Sequence, residues 1–115
     1  MKGLEMPGSF DEREKGYESK WVHDQEMRFK VYSRRNRLLG AWAAAEAGLK
    51  GAEAEGIVRE VVAAEFDKGG DEAVFAKIRR VFDDRKVVQS DHMIRRKMDE
   101  LLDSAKAEIE NEIKR

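Results

Sequence analysis

The sequence predicts an all-α fold, namely a four-helix bundle with a long first helix and a mobile N-terminal arm. Apolar residues recur at the 3.6-residue period of amphipathic helices in four successive segments. The connections between these segments are short, as is usual in antiparallel bundles, and two of them contain a pair of glycines. Threonine is absent, and the Val and Ile residues do not alternate as they would in half-buried strands.

The first helix is expected to begin near Ser9 and to continue to the glycines at positions 48 and 51. Ser9 precedes Glu12 by three residues, which is the spacing of a capping box at a helix N-terminus. Residues 1–9 show no helical period, so they are expected to form a disordered lead-in. Six apolar residues lie close to one line along this helix: Phe10, Tyr17, Trp21, Tyr32, Leu39 and Trp42.

The other three helices follow from the same periodicity. The second is predicted from about Glu53 to Asp67 and is expected to stop at Gly69-Gly70. The third is predicted from about Asp71, which can cap it, to Asp84, and the fourth follows a cap at Ser90 or Asp91. The predicted buried positions are Ile57, Val58, Val61, Val62 and Phe66; then Val74, Phe75, Ile78, Val81 and Phe82; and then Ile94, Met98, Leu101, Leu102, Ala105 and Ile109.

The composition excludes several classes of function. Charged residues make up 41% of the chain, which predicts helices with solvated, ion-paired faces. The net charge of −1 gives no overall attraction to nucleic acid, and no segment is apolar enough for membrane insertion. There is no cysteine, and His23 and His92 lie on separate predicted helices, so no metal site is expected. No phosphate-binding loop or nucleophile elbow is present, so we expect no cofactor and no enzymatic activity.

A basic cluster lies in the middle of the first predicted helix. Five cations fall within ten positions that contain no acidic residue: Arg28, Lys30, Arg34, Arg35 and Arg37. Such a cluster is most often a solvated helix face or a docking face for an acidic protein surface. Interleaved with Phe29 and Tyr32, it could also contact RNA, which is the less favoured interpretation.

The N-terminal arm, residues 10–21, precedes the bundle domain, which is assigned to residues 22–115. Gly16 and a run of charged residues make the arm a marginal helix in isolation. Phe10, Tyr17 and Trp21 nevertheless share one face, at spacings of seven and four residues. This pattern is typical of an amphipathic helix that binds in a groove of a partner. The alternative is that these aromatic side chains pack on the protein's own bundle.

Four segments, spread from about Phe10 to the C-terminus, match the pattern of a known family. The segments are Phe10-Asp11-Glu12-Arg13-Glu14, Arg34-Arg35-Asn36-Arg37-Leu38-Leu39-Gly40-Ala41-Trp42-Ala43, Phe66-Asp67-Lys68-Gly69-Gly70-Asp71-Glu72 and Ile94-Arg95-Arg96-Lys97-Met98-Asp99-Glu100-Leu101. The arginine–leucine–tryptophan segment is the most specific of the four. In these segments the chain resembles the zeta subunit of the F-type ATP synthase of alphaproteobacteria.

The resemblance implies a four-helix bundle that inhibits ATP hydrolysis. It implies a partner, the catalytic head of the synthase with its alpha, beta and gamma subunits, and a cytoplasmic location, peripheral to the inner membrane through the synthase. The arm would insert as a helix at a catalytic interface while the bundle docks outside the head. By position, the arm residues would be Phe10, Asp11, Glu12, Arg13, Glu14, Lys15, Tyr17, Lys20 and Trp21. The alternative function is a helical adaptor that binds another protein or nucleic acid through the basic cluster.

Overall fold

A computed structural model of the chain describes residues 24–114. These residues form four helices: α1 (Gln25–Glu46), α2 (Gly51–Ala64), α3 (Asp71–Asp84) and α4 (Asp91–Lys114). No strand occurs in this part of the chain. The all-α, four-helix prediction is therefore confirmed. Backbone contacts divide the chain into two units, residues 1–30 and residues 31–115. The core described below belongs to the second unit.

Every helix contributes apolar side chains to one core. Because these residues recur three or four positions apart, each helix turns one face inward. Phe82 of α3 is fully buried and meets the ring of Trp42 of α1 edge-to-face, with 5.4 Å between the ring centroids. The buried apolar residues are Val31, Leu39, Ala43, Ala44, Ile57, Val61, Ala64, Val74, Ile78, Val81, Phe82, Ile94, Met98, Ala105 and Ile109.

The first helix starts later than expected within the described residues. The Asp24 carboxylate accepts a hydrogen bond of 3.1 Å from the backbone N–H of Met27, so Asp24 is an N-cap and α1 begins at Gln25. The expectation of one continuous helix from Ser9 is therefore wrong at Asp24, which is not helical. The expectations for residues 1–23, including the lead-in and the arm, lie outside the described residues.

Gly40 is where α1 comes closest to α2. A Cβ atom at this position would lie 2.8 Å from the Cα of Val58 and 3.4 Å from the Cβ of Val61. Gly40 itself is buried. The absence of a side chain therefore allows the two helix backbones to approach each other at this point.

The connection between α2 and α3 corrects three expectations. The second helix ends at Ala64 instead of continuing to Asp67, and the Phe66 side chain is 68% exposed rather than buried. Phe66 comes nine positions after Ile57, which at about 100° per residue is the side of α2 opposite its buried face, so the apolar period does not turn Phe66 inward. Gly70, with φ of 50°, occupies the cap position, and Asp71 is the first helical residue and makes no capping hydrogen bond.

The start of α4 agrees with the sequence. The Ser90 hydroxyl oxygen accepts a hydrogen bond of 3.0 Å from the backbone N–H of Met93, which confirms Ser90 as the cap. Arg95 in the first turns of α4 then binds both carboxylate oxygens of Glu72 on α3, at 2.9 and 3.0 Å. Its guanidinium also lies 3.8 Å from the centroid of the Phe75 ring. These contacts hold α4 against α3.

Candidate partner-binding surfaces

The predicted basic cluster does not form a single exposed face. Arg35 is only 1% exposed, and its Nη2 donates a hydrogen bond of 2.6 Å to the Asp71 carboxylate. Its Nε donates to the Asn36 side-chain oxygen, also at 2.6 Å, and Glu65 lies 3.6 Å from its Nη2. We call these four residues the Arg35 cluster: Arg35, Asn36, Glu65 and Asp71. As a docking residue Arg35 stays a prediction, but its side chain is buried and its guanidinium already binds Asp71 within the bundle.

The Arg35 cluster joins α1 to both ends of the α2–α3 connection. Asn36 is fully buried, and its side-chain nitrogen donates a hydrogen bond of 3.0 Å to Glu65 just after the end of α2. Asp71 begins α3. A guanidinium buried without such partners would be strongly destabilising, so Asp71 and Glu65 make its burial possible.

Arg34 is also engaged within the bundle. Its two terminal nitrogens bind Glu108 at 2.7 Å and Glu112 at 2.8 Å, which ties α1 to the C-terminal half of α4. The hydrogen bond to Glu108, followed by that to Glu112, raises the pKa of the Arg34 guanidinium. Arg34 remains partly exposed, so a partner would have to compete with two carboxylates for it.

The remaining basic residues lie at the surface. Arg28 and Lys30 are exposed and belong to the first unit, whereas Arg37 is exposed in the second. Arg37 has no ion pair or side-chain hydrogen bond with any residue between 24 and 114. As docking residues, Arg28, Lys30 and Arg37 stay predictions.

A shallow, open groove of about 380 Å³ lies beside Arg37, next to the close approach of α1 and α2. We call it the α1–α2 groove; its lining residues are Arg37, Val58, Arg59, Val62, Ala63 and Phe66. The groove was not expected from the sequence, because Val58, Val62 and Phe66 were predicted to be buried. The sequence did contain a signal for it, because α2 has two neighbouring apolar strips. One strip is enough to pack against the core, so the second strip can remain at the surface.

A second hollow of about 490 Å³ lies over the α2–α3 connection. Its floor contains Ala64, Ala73 and Ala76, and Asp67 and Lys77 stand at its margin. The Lys77 ammonium already binds Glu60 at 3.1 Å. Unlike the α1–α2 groove, this hollow has no aromatic side chain among its lining residues.

Between residues 24 and 114, no helix is long and apolar enough to cross a membrane. In the same stretch, no three side chains of the types that ligate metals come together. His92 is exposed, and His23 lies outside the described residues.

Comparison with known proteins gives one family. The family model described as ATPase inhibitor subunit zeta matches residues 7–108. The match includes the arm and all four helices apart from the last residues of α4. A search of curated protein sequences found no match.

Proposed function

This chain belongs to the ATPase inhibitor subunit zeta family, and from that membership we propose that it binds the catalytic head of the F-type ATP synthase and blocks ATP hydrolysis. The observation that carries the proposal is the length of the family match. It covers residues 7–108 and therefore includes both the arm and the bundle. An inhibitor subunit acts by binding its ATPase, so a protein partner is the central element of the function.

In this proposal the arm, residues 10–21, is the inhibitory element. It folds as a helix at a catalytic interface, where Phe10, Tyr17 and Trp21 enter apolar contacts and its basic residues face acidic groups of the head. Insertion obstructs the rotation that accompanies ATP hydrolysis. Ordering a weak helix costs free energy, so the arm alone would bind weakly.

The bundle supplies the additional affinity. When it docks on the outside of the head, it keeps the arm at a high local concentration near the interface. The Arg35 cluster and the Arg34 bridges to α4 support this role, because they hold the docking body in one conformation. A preorganised body loses little entropy when it binds.

The alternative, an adaptor that binds nucleic acid through the basic cluster, receives no support from the described residues. Arg35 is buried, and Arg34 is bound to two carboxylates. An adaptor of this kind would bind single-stranded RNA with an affinity that falls steeply as salt is added.

The test is ATP hydrolysis by the purified cognate head with three forms of the protein: the full chain, a form beginning at Val22, and the full chain with Tyr17→Ala and Trp21→Ala. The full chain should inhibit, and the other two should not. A full chain with Ile113→Ala is the matched control, because Ile113 is an exposed apolar residue at the far end of α4. It should inhibit like the unchanged protein.

Two other results would contradict the proposal in different ways. If the full chain binds the head in a pull-down but does not slow hydrolysis, the protein is a partner of the head without inhibitory activity. If it does not bind the head, the family function does not apply to it, and the RNA-binding measurement decides the adaptor alternative.

A further inference from the structure

We propose that the bundle docks on the ATPase head through the α3–α4 loop, residues 85–90. In this contact Val88 enters a small aliphatic pocket of the head, and Asp or Glu side chains at the edge of that pocket bind the cations of the loop. The inference rests on the proposed function and deepens it, because it assigns the docking contact to one loop and states the chemistry of the surface that receives it. The loop joins the end of α3 at Asp84 to the start of α4 at Asp91.

Val88 is the most exposed large apolar side chain among the described residues. Its exposed fraction is 95%, whereas those of Ile113 and Met93 are 56% and 36%. An aliphatic side chain that projects almost entirely into water gains free energy when a partner covers it. Single exposed apolar residues are common on protein surfaces, so the geometry and the charge of the loop decide whether Val88 is a contact residue.

Contacts on both sides of Val88 fix the loop to the bundle. Before it, the Val87 side chain packs against the core, and the Val87 backbone N–H donates a hydrogen bond of 2.8 Å to a carbonyl oxygen in the last turn of α3. After it, the Gln89 carbonyl oxygen accepts a hydrogen bond of 2.8 Å from Arg79, and the Gln89 side chain donates one of 3.0 Å to Glu46. Val88 is therefore held outward between two anchored neighbours. A contact that is preformed in this way loses little conformational entropy on binding.

Lys86 follows α3 in a backbone conformation that favours glycine. Its φ of 58° is the only positive φ of a non-glycine residue between residues 24 and 114. The Lys86 backbone N–H donates to the Asp83 carbonyl oxygen and that of Val87 donates to Phe82, which is the hydrogen-bond pattern of a Schellman motif. Glycine is the usual residue at this position, because it has no Cβ atom to strain the left-handed backbone. A lysine at such a position indicates that its side chain has a use outside the fold.

The α3–α4 loop is positively charged next to Val88. It contains Arg85 and Lys86 and no acidic residue. Both side chains are exposed, and neither has an ion pair or a side-chain hydrogen bond with residues 24–114. The guanidinium and the ammonium can therefore bind carboxylates of a partner without first breaking a contact within the bundle.

The aspartates that flank the loop do not cancel this charge. Asp83 and Asp91 both bind Arg79, at 3.1 and 2.8 Å, so their charges are compensated within the bundle. Asp84 is exposed and lies outside these ion pairs, which leaves one flanking carboxylate beside the two cations of the loop. The charge that the loop presents is therefore positive, and it favours a partner surface that carries carboxylates.

The shape of the loop favours a folded protein as the partner. Because Val88 is exposed over nearly its whole surface, the loop projects from the bundle, and the partner must supply the concave surface. An apolar side chain that fills a pocket and is surrounded by polar contacts is a common anchor of protein interfaces. A nucleic acid offers phosphates to Arg85 and Lys86, but it offers no aliphatic pocket to Val88.

The first measurement is surface plasmon resonance of the full chain and its variants on the purified cognate head. Val88→Ser should weaken binding about tenfold, mainly through faster dissociation, because it removes the inserted side chain. Val88→Ile keeps a branched aliphatic side chain and should retain most of the affinity. The matched control is Ile113→Ser, since Ile113 is exposed at the far end of α4, and it should bind like the unchanged protein. If Val88→Ser binds as tightly as Ile113→Ser, the proposal is overturned.

The charge of the loop is tested separately. The double variant with Arg85→Gln and Lys86→Gln should associate about threefold more slowly or worse, and its association rate should depend less on salt. The control carries Lys68→Gln and Arg80→Gln, which remove the same charge from the lining of the second hollow. If the control associates more slowly and the loop variant does not, the partner binds at the second hollow and the loop assignment is wrong.

Lys86→Gly separates the contact from folding stability. It should raise the melting temperature, because glycine relieves the left-handed backbone. It should also weaken binding about threefold, because one cation of the contact is lost. A variant that is more stable and binds less well cannot owe its loss of affinity to unfolding. If it is more stable and binds with full affinity, the lysine makes no contact and the proposal fails.

A thiol at the tip of the loop reports directly on its burial. The chain has no cysteine, so Val88→Cys introduces a single thiol, and the exposure of this position predicts fast reaction with a maleimide. A saturating amount of the head should slow the reaction about tenfold or more, because the pocket covers the thiol. In the control, Ile113→Cys, the head should leave the rate unchanged. Equal rates for Val88→Cys with and without the head, or shielding by a second copy of this chain alone, would overturn the proposal.

The outcomes separate this inference from the proposed function. If the unchanged protein binds and inhibits the head while the loop variants do so equally well, the loop assignment fails and the function stands. If the unchanged protein does not bind the head at all, both fail. Far-UV circular dichroism of each variant should match that of the unchanged protein, because all the altered side chains are exposed.

Discussion

The close approach at Gly40 predicts that Gly40→Ala destabilises the bundle, although alanine is the better helix former. The new Cβ would lie 2.8 Å from the Val58 Cα, a backbone atom that cannot rotate away. Inserting a carbon into a packed interface costs roughly 1–3 kcal/mol. The gain in helix propensity is about 1 kcal/mol. Because the contact involves backbone, the cost should fall near its upper limit, which leaves a net loss of about 1–2 kcal/mol.

A matched control lies in the neighbouring helix. Gly56 is inside α2, and a Cβ atom there would meet no atom within 4 Å. Gly56→Ala should therefore stabilise the protein by roughly 0.5–1 kcal/mol through helix propensity alone. The same chemical change thus has opposite signs at two helical positions, and the contact with Val58 accounts for the difference.

The assay is urea unfolding of both variants at 25 °C, followed by far-UV circular dichroism. The two free energies of unfolding should differ by about 1.5–3 kcal/mol, which corresponds to roughly 6 °C or more between the two melting temperatures. If Gly40→Ala is as stable as Gly56→Ala, the helices separate without cost at this point, and the reasoning from the close approach is refuted.

Three further predictions concern polar contacts. Arg35→Met should lower the free energy of unfolding, measured in urea, by about 2–3 kcal/mol. The loss is smaller than for a wholly buried ion pair, because Asp71 is half-exposed. Arg35→Lys should lose less stability than Arg35→Met but should not reach that of the unchanged protein. Ser90→Ala should cost about 1 kcal/mol and speed hydrogen exchange of the Met93 amide, whereas Ser90→Asp should preserve the cap. The pKa of Glu72 should lie below its ordinary value of 4.5, because the Arg95 guanidinium hydrogen-bonds to the carboxylate. An NMR titration of Glu72 should show this lowered pKa, and in Arg95→Gln the pKa should return toward 4.5. Because the pKa of Glu72 is lower in the folded than in the unfolded state, the pair stabilises the protein above about pH 4.5, and this stability is lost as the pH falls through the folded-state pKa. Added salt should diminish the pKa shift, because the pair is exposed.

The helices and most of the core could be predicted from the sequence, because local periodicity determines which face of a helix turns inward. Val74, Ile78 and Phe82 illustrate this: their spacing of four residues places them on one face, and all three are buried. The predictions fail where a contact between residues far apart in the sequence overrides the local pattern. Asp71 has the type and place of a cap, yet its carboxylate binds Arg35, which is 36 residues away.

The candidate sites were less predictable for the same reason. Arg35 was predicted to lie at the surface because it is charged. The residues next to it in the sequence do not indicate that Glu65 and Asp71 are its partners. Phe66 follows Val58 and Val62 at spacings of four residues, and this strip lies away from the buried strip of α2, so its ring is exposed. The arm was derived from the sequence and from the family resemblance, and it lies outside the described residues.

The Arg35 cluster also determines the axial alignment of α1 within the bundle. Apolar faces alone can slide past each other by one helical turn, about 5.4 Å, with little loss of contact area. A slide of that size would place Val31 or Leu39 opposite Glu65 and Asp71 and leave two carboxylates against aliphatic side chains. The buried guanidinium therefore penalises every alignment but one. Since Arg37 moves with α1 and Val58 with α2, the groove between them has a defined shape only in that alignment.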